Sequence, residues 1–259
     1  MGQGNEMMKG PKLSFRQRLT WAAHLFKALA YQYHAELSDQ IRPLVPDNGV
    51  IIDVGAHSGQ HTKIFARLVP HGKVYAFEPG GYARSILSKV MALRGFKNVI
   101  VVPFGLSDIE TVETLNVPLK RSGTMGFGLS HIGPVSDDRE HASESISITT
   151  LDKYAEAQAL ERVDFIKVDI EGWEFNFLKG ALEVIRKFRP ILQLEITEPT
   201  LLRADATPKD IFDLIMPLDY AAFETREQID YRMIAVTSFG NNSDYLFVPR
   251  EKMHLVHAE

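Results

Sequence analysis

The segment Asp53-Val54-Gly55-Ala56-His57-Ser58-Gly59 sets two glycines beside a carboxylate, directly after the apolar run that ends at Val54. Such a turn lets a ligand approach bare backbone and offers it the unpaired amides of the next helix. A dinucleotide site requires glycines spaced as G-x-G-x-x-G. Counted from Gly55, the two later positions hold His57 and Gln60, so that pattern fails at both. Charge separates the ligands too. A pyrophosphate would meet the Asp53 carboxylate, which opposes the attraction of about 0.3–1 kcal/mol from the helix N-terminus. S-adenosylmethionine (SAM) carries no phosphate and brings a sulfonium and an ammonium, so an acid beside the turn suits it. Asp53, Gly55, His57 and Gly59 are therefore candidate cofactor-binding residues.

Glu78 follows Asp53 by 25 residues, at the end of the next apolar run. An acid there accepts hydrogen bonds from both ribose hydroxyls, each worth about 1.5–3 kcal/mol. Taken alone, it serves SAM and NAD equally. Ser107 and Asp108, after a third run, are placed to bond an adenine amino group, although Ser-Asp is also an ordinary turn pair.

Methyl transfer is an in-line displacement that positioning can drive, and a base is needed only for an unactivated acceptor such as a sugar hydroxyl. Asp169 and Glu171, after another apolar run, are the candidate catalytic carboxylates, and Asp169 also stands beside the cofactor. In an extended stretch Lys167, Asp169 and Glu171 would share one side, either as one charged cluster or as a Lys167–Glu171 pair with Glu171 capping the next helix. Trp173 is a core or rim aromatic, or else a substrate platform. Asp169, Glu171 and Glu195 supply oxygen ligands of the kind Mg²⁺ takes, but no dense metal-spaced cluster is present and no metal is expected. The Gly-rich stretch from Arg121 to His131 is a candidate acceptor loop, with His131 as an alternative base, a disordered linker being the competing reading.

The elements that must hold these residues alternate short apolar runs with amphipathic stretches from residue 50 onward, which predicts a doubly wound α/β fold with a mostly parallel sheet. Strands are expected at Val50–Val54, Val74–Phe77, Val99–Val102, Val163–Val168, Ile191–Ile196, Tyr220–Glu224 and Tyr245–Val248. Helices are expected from Gly59 to Pro70, over Tyr82–Leu93, as one piece over Trp173–Phe188, and over Pro208–Met216. Ser107 to Ser145 reads as irregular apart from Thr111–Val117. Leu19, Ala22, Ala23, Phe26, Leu29, Ala30 and Tyr33 recur at helical spacing, which predicts a helix packed on the domain or serving as a lid or membrane-surface element. Residues 1–42 are read as this extension and 43–259 as the catalytic domain.

Five blocks of this chain, in order, resemble the FkbM family of class I SAM methyltransferases: Asp53 to Thr62, Phe77-Glu78-Pro79, Leu106-Ser107-Asp108, Thr150-Leu151-Asp152 and Phe165 to Glu174. The resemblance implies a seven-stranded Rossmann-like sheet and transfer to oxygen on sugars, glycolipids, polysaccharides or polyketide-type products. His57 departs from the family pattern, where asparagine is expected.

A net charge of −4 shows no basic footprint for nucleic acid. Without cysteine there is no disulfide or thiolate metal site, and a cytoplasmic location is expected. A small-molecule or saccharide acceptor is the expected partner, with no stable membrane insertion and a homo-oligomer left open. An NAD(P)-binding oxidoreductase and an inactive methyltransferase-like scaffold are the competing classes.

Overall fold

Runs of valine, isoleucine and aromatic residues form the central strands in the computed structural model, which describes residues 14–118, 131–132, 141–225, 233–240 and 244–256. The chain runs α1 (Phe15–Ala30), α2 (Leu37–Ile41), β1 (Val50–Val54), α3 (Gln60–Leu68), β2 (Lys73–Phe77), α4 (Gly81–Arg94), β3 (Val99–Val102), β4 (Phe104–Leu106), β5 (Thr111–Pro118) and β6 (His131–Ile132). It continues β7 (His141–Thr149), α5 (Leu151–Ala157), β8 (Phe165–Val168), α6 (Glu174–Lys179), α7 (Leu182–Phe188), β9 (Ile191–Glu195), α8 (Glu198–Leu201), α9 (Pro208–Ile215), β10 (Tyr220–Thr225), β11 (Met233–Val236) and β12 (Asp244–Pro249).

The main sheet has the order β11-β10-β12-β9-β8-β1-β2-β3. Its half from β3 to β9 is parallel, and β12, β10 and β11 are antiparallel. Helices cover both faces, so Ile51, Ile52, Phe165, Ile166, Val168, Leu192 and Leu194 are fully buried and their strands read as continuous apolar runs. From β1 the chain winds one way to β2 and β3, and later the other way through β8 and β9. The crevice outside the ends of β1 and β8 is therefore the switch point where such sheets bind ligands.

Four expectations need correction. Among the described residues the sheet has eight strands rather than seven, because β11 folds back onto β10 at the edge. The stretch read as irregular after Ser107 contributes to a second, four-stranded sheet, β4-β7-β5-β6. There β7 buries only Ile146 and Ile148 of its nine residues, and Ser143, Ser145 and Ser147 made a half-solvated strand look like a loop. The helix read as one piece over 173–188 is two, separated at Gly180, where a Cβ would stand 2.0 Å from the carbonyl oxygen of Ser107. Finally, α1 packs on α4 through Trp21, Leu25, Ala28 and Leu29; of the periodic set Leu29 takes part, while Leu19 and Phe26 face outward. Trp21 Nε1 donates to Ser85 Oγ at 2.8 Å, and small Ala28 lets its own carbonyl accept from Lys63 Nζ at 2.6 Å.

Candidate active site

Strand β1 delivers the chain to a turn that only glycine fits. Gly55 has φ +81°, and a Cβ there would stand 2.0 Å from the carbonyl oxygen of Asp169; Gly59, φ +87°, is the N-cap of α3. Between them His57 also lies in the left-handed region, at φ 47°. Asparagine adopts that conformation at lower cost than most side chains, which accounts physically for the residue expected there. The His57 amide donates to Glu78 Oε2 at 2.8 Å and the Gly80 amide to Glu78 Oε1 at 2.8 Å. Glu78 thus ties the turn after β1 to the turn after β2, and burial pushes its carboxyl up to about 7 against those two hydrogen bonds.

A cleft of about 220 Å³ opens beside this turn. Val54 and Gly55 line it at the end of β1; Phe77, Pro79, Phe104 and Leu106 line it from β2 and β4; Ile170, Trp173 and Asn176 line it from the segment after β8. Trp173, half-buried, belongs to this wall. Ser107, Asp108, Thr111 and Glu113 add polar groups, and among the described residues no Lys, Arg or His lines the cleft. Ser107 Oγ donates to Asp108 Oδ1 at 3.1 Å, and Lys179 Nζ sits 2.6 Å from Asp108 Oδ2. Partial burial works against ionisation of Asp108, but Lys179 and Ser107 hold it below the usual carboxylate range.

Asp53 does not stand in the open cleft. It is 1% exposed, beneath the turn, where it accepts from Thr62 Oγ1 at 2.5 Å and lies opposite Lys167 in the strand register. Burial raises its carboxyl to about 6, with Thr62 and then Lys167 opposing. Lys167, itself buried, is 3.1 Å from Asp169 Oδ2. Burial disfavours both charges, yet their mutual attraction prevails: Asp169 stays ionised and Lys167 protonated. Glu195, from β9, hydrogen-bonds Asp169; burial first and the Asp169 charge second raise its pKa, so the proton resides on Glu195. His61, on α3, is held neutral by burial and by Lys167, with its pKa lowered to about 3.

Glu171 stands apart from this set. Strand β8 ends at Val168, and Glu171 turns into the left-handed region at φ 56°, so the shared side expected for residues 167, 169 and 171 is not formed. Lys167 pairs with Asp169, not with Glu171. Glu171 is exposed, and partial burial of its carboxylate together with the Asp169 charge raises its pKa. The turn is stitched by Glu174, whose Oε1 accepts from the amides of Ile170 at 3.1 Å and Gly172 at 3.2 Å.

Among the described residues no group of three or more His, Asp or Glu side chains is disposed to hold a metal ion. Residues 121–130 of the candidate acceptor loop lie outside the described residues; of His131 only the backbone is described, in β6 opposite Asn116. Sequence reasoning missed Thr62, His61, Glu174 and Glu144. Glu174 closes the last block of the resemblance, and Thr62 closes the first. Glu144 Oε1, which accepts from the Gly81 amide at 2.9 Å and so caps α4 from the second sheet, had no local signal.

A doubly wound sheet with an acidic, glycine-lined turn at its switch point is the architecture of the Rossmann-like methyltransferases. Residues 53–232 match the Methyltransferase FkbM domain, and the chain belongs to that family. The 2-O-methyltransferase NoeI of Sinorhizobium fredii is 23% identical over 239 residues, which cover 86% of this chain and 93% of that protein. The hexuronic acid methyltransferase AglP of Haloferax volcanii is 27% identical over 182 residues, covering 68% of this chain and 66% of its own. The crystal structure of a methyltransferase FkbM from Methylobacillus flagellatus KT superimposes with a TM-score of 0.50 at 16% identity, covering 89% of this chain; the chain spans 58% of that protein.

Proposed function

We propose that this methyltransferase uses SAM and methylates a hydroxyl of a saccharide or similarly polar, alcohol-bearing acceptor. The observation that carries the cofactor is the charge of the cleft: its ionisable lining residues are the acids Asp108 and Glu113, Glu78 and Asp53 lie beside and beneath it, and no described lining residue is a cation that a diphosphate would need. The apolar walls from Phe77, Leu106, Ile170 and Trp173 suit a purine, with Ser107 and Asp108 at its polar edge. Glu78, held by two amides, retains lone pairs for a ribose diol. When bound, SAM supplies an activated methyl group on sulfur.

The chain's own residues then place the acceptor oxygen and take its proton. Glu171, exposed in the turn that follows β8 and with a raised pKa, is the general base of this reading. Asp169, bonded to Lys167 and Glu195, is a fixed anion that orients the acceptor and keeps Glu171 basic through its charge. Saccharide acceptors gain support from NoeI and AglP, whose names specify a 2-O position and a hexuronic acid.

Isothermal titration of the whole chain tests the cofactor. S-adenosylhomocysteine should bind and NAD should not, and Glu78→Ala should weaken binding by at least about 1.5–3 kcal/mol, roughly ten- to a hundredfold or more. Binding of NAD in preference to S-adenosylhomocysteine would sink the proposal.

A further inference from the structure

Helix α1 is apolar on two sides that lie about 110° apart around its axis. One side is spent on α4; on the other, Phe15, Leu19, Ala22 and Phe26 follow one another at helical spacing and face outward, with Phe15 76%, Leu19 58% and Phe26 67% exposed. Ala23 and Ala30 widen the stripe. On a helix that met only water, this outer side would be polar.

Charge says what the stripe meets. Helical geometry puts Arg18 along one border of the stripe and Arg16 and Lys27 along the other, all three exposed, and α1 contains no Asp or Glu. The first 33 residues carry five Lys or Arg against one acid, while the remaining 226 carry 24 against 32. Tyr31 and Tyr33, exposed beyond the helix end, add rings of the kind that favour a lipid–water boundary. We propose that α1 is an interfacial helix that seats the enzyme on an anionic lipid bilayer, its stripe among the acyl chains and its bordering cations at the headgroups. No helix among the described residues is long and apolar enough to cross a membrane, so α1 lies along the surface. A second copy of this chain is the weaker occupant, because two-fold pairing of the stripes would confront three cations with the same three. The seat is firm: Gln32 Nε2 donates to the Gln60 carbonyl at 3.0 Å, and the His24 ring meets Tyr82 edge-on at 6.2 Å, tying the segment to α3 and α4, which follow the two cofactor turns.

Flotation of the whole chain with vesicles tests this. The protein should rise with phosphatidylcholine vesicles containing phosphatidylglycerol, rise far less with phosphatidylcholine alone, and release in high salt. Combining Phe15→Ser, Leu19→Ser and Phe26→Ser should cut the bound fraction about tenfold or more, with the unfolding midpoint and S-adenosylhomocysteine affinity unchanged. Combining Arg16→Gln, Arg18→Gln and Lys27→Gln should abolish the preference for the anionic vesicles. Failure of the unmodified chain to float overturns the proposal, as does equal flotation of the serine variant. So does light scattering that shows a dimer which the serine variant dissolves, since a second copy then covers the stripe.

Discussion

Replacing Glu174 with glutamine should stabilise the enzyme at neutral pH and leave it nearly unchanged in acid. Glu174 is 1% exposed; its Oε1 holds the amides of Ile170 and Gly172, and its Oε2 is buried with no hydrogen-bond partner among the described residues. Burial chiefly, with the Asp169 charge adding, raises its pKa from 4.5 to about 7. Between those values the folded protein holds a proton that the unfolded chain has released, so stability falls as pH rises. The contribution is fully present below about 4.5 and lost above about 7. At 1.36 kcal/mol per pKa unit, the interval from 4.5 to about 7 amounts to about 3 kcal/mol. Glutamine keeps the Oε1 acceptor and has no charge to bury. Urea unfolding of both proteins at intervals across this range should show glutamine overtaking the parent by about 3 kcal/mol at the upper end. A difference between the two that stays constant with pH would refute the reasoning, because any constant offset reports packing and only the slope reports the proton.

Glu171→Gln should lower turnover about a hundredfold, read as S-adenosylhomocysteine release with a saccharide acceptor, while affinity for that product in titration holds; unchanged turnover would remove Glu171 as the base. Gly55→Ala places a Cβ 2.0 Å from the Asp169 carbonyl at φ +81°, so it should cost at least the ~1–2 kcal/mol of left-handed backbone in urea unfolding and weaken S-adenosylhomocysteine binding with it. Lys167→Met should destabilise by about 3 kcal/mol, near the low end for a broken buried pair because the Asp169 side chain remains 32% exposed; a neutral effect would mean the pair contributes nothing net.

Much of the cofactor site is written in contiguous sequence because a glycine turn is a local device. Gly55 and Gly59 need positive φ whatever surrounds them, and Glu78 reaches the His57 amide because β1 and β2 are adjacent parallel strands joined by one helix. Short-range periodicity likewise specified the buried strands, whose two covered faces leave no place for polar residues. Tertiary structure alone decided the rest. Lys167, Asp169, Glu195 and His61 meet from β8, β9 and α3, and whether Lys167 pairs with Asp169 or Glu171 turned on where β8 stops. The second sheet escaped notice because β7 shows the core only two isoleucines, and Glu144 found its partner 63 residues away. In α1 the periodicity announced a helix but not its buried face, since two apolar sides compete and only α4, with Ser85 waiting for Trp21, chooses between them. Spacing along a chain encodes which residues share a side; what that side touches is set by the rest of the fold.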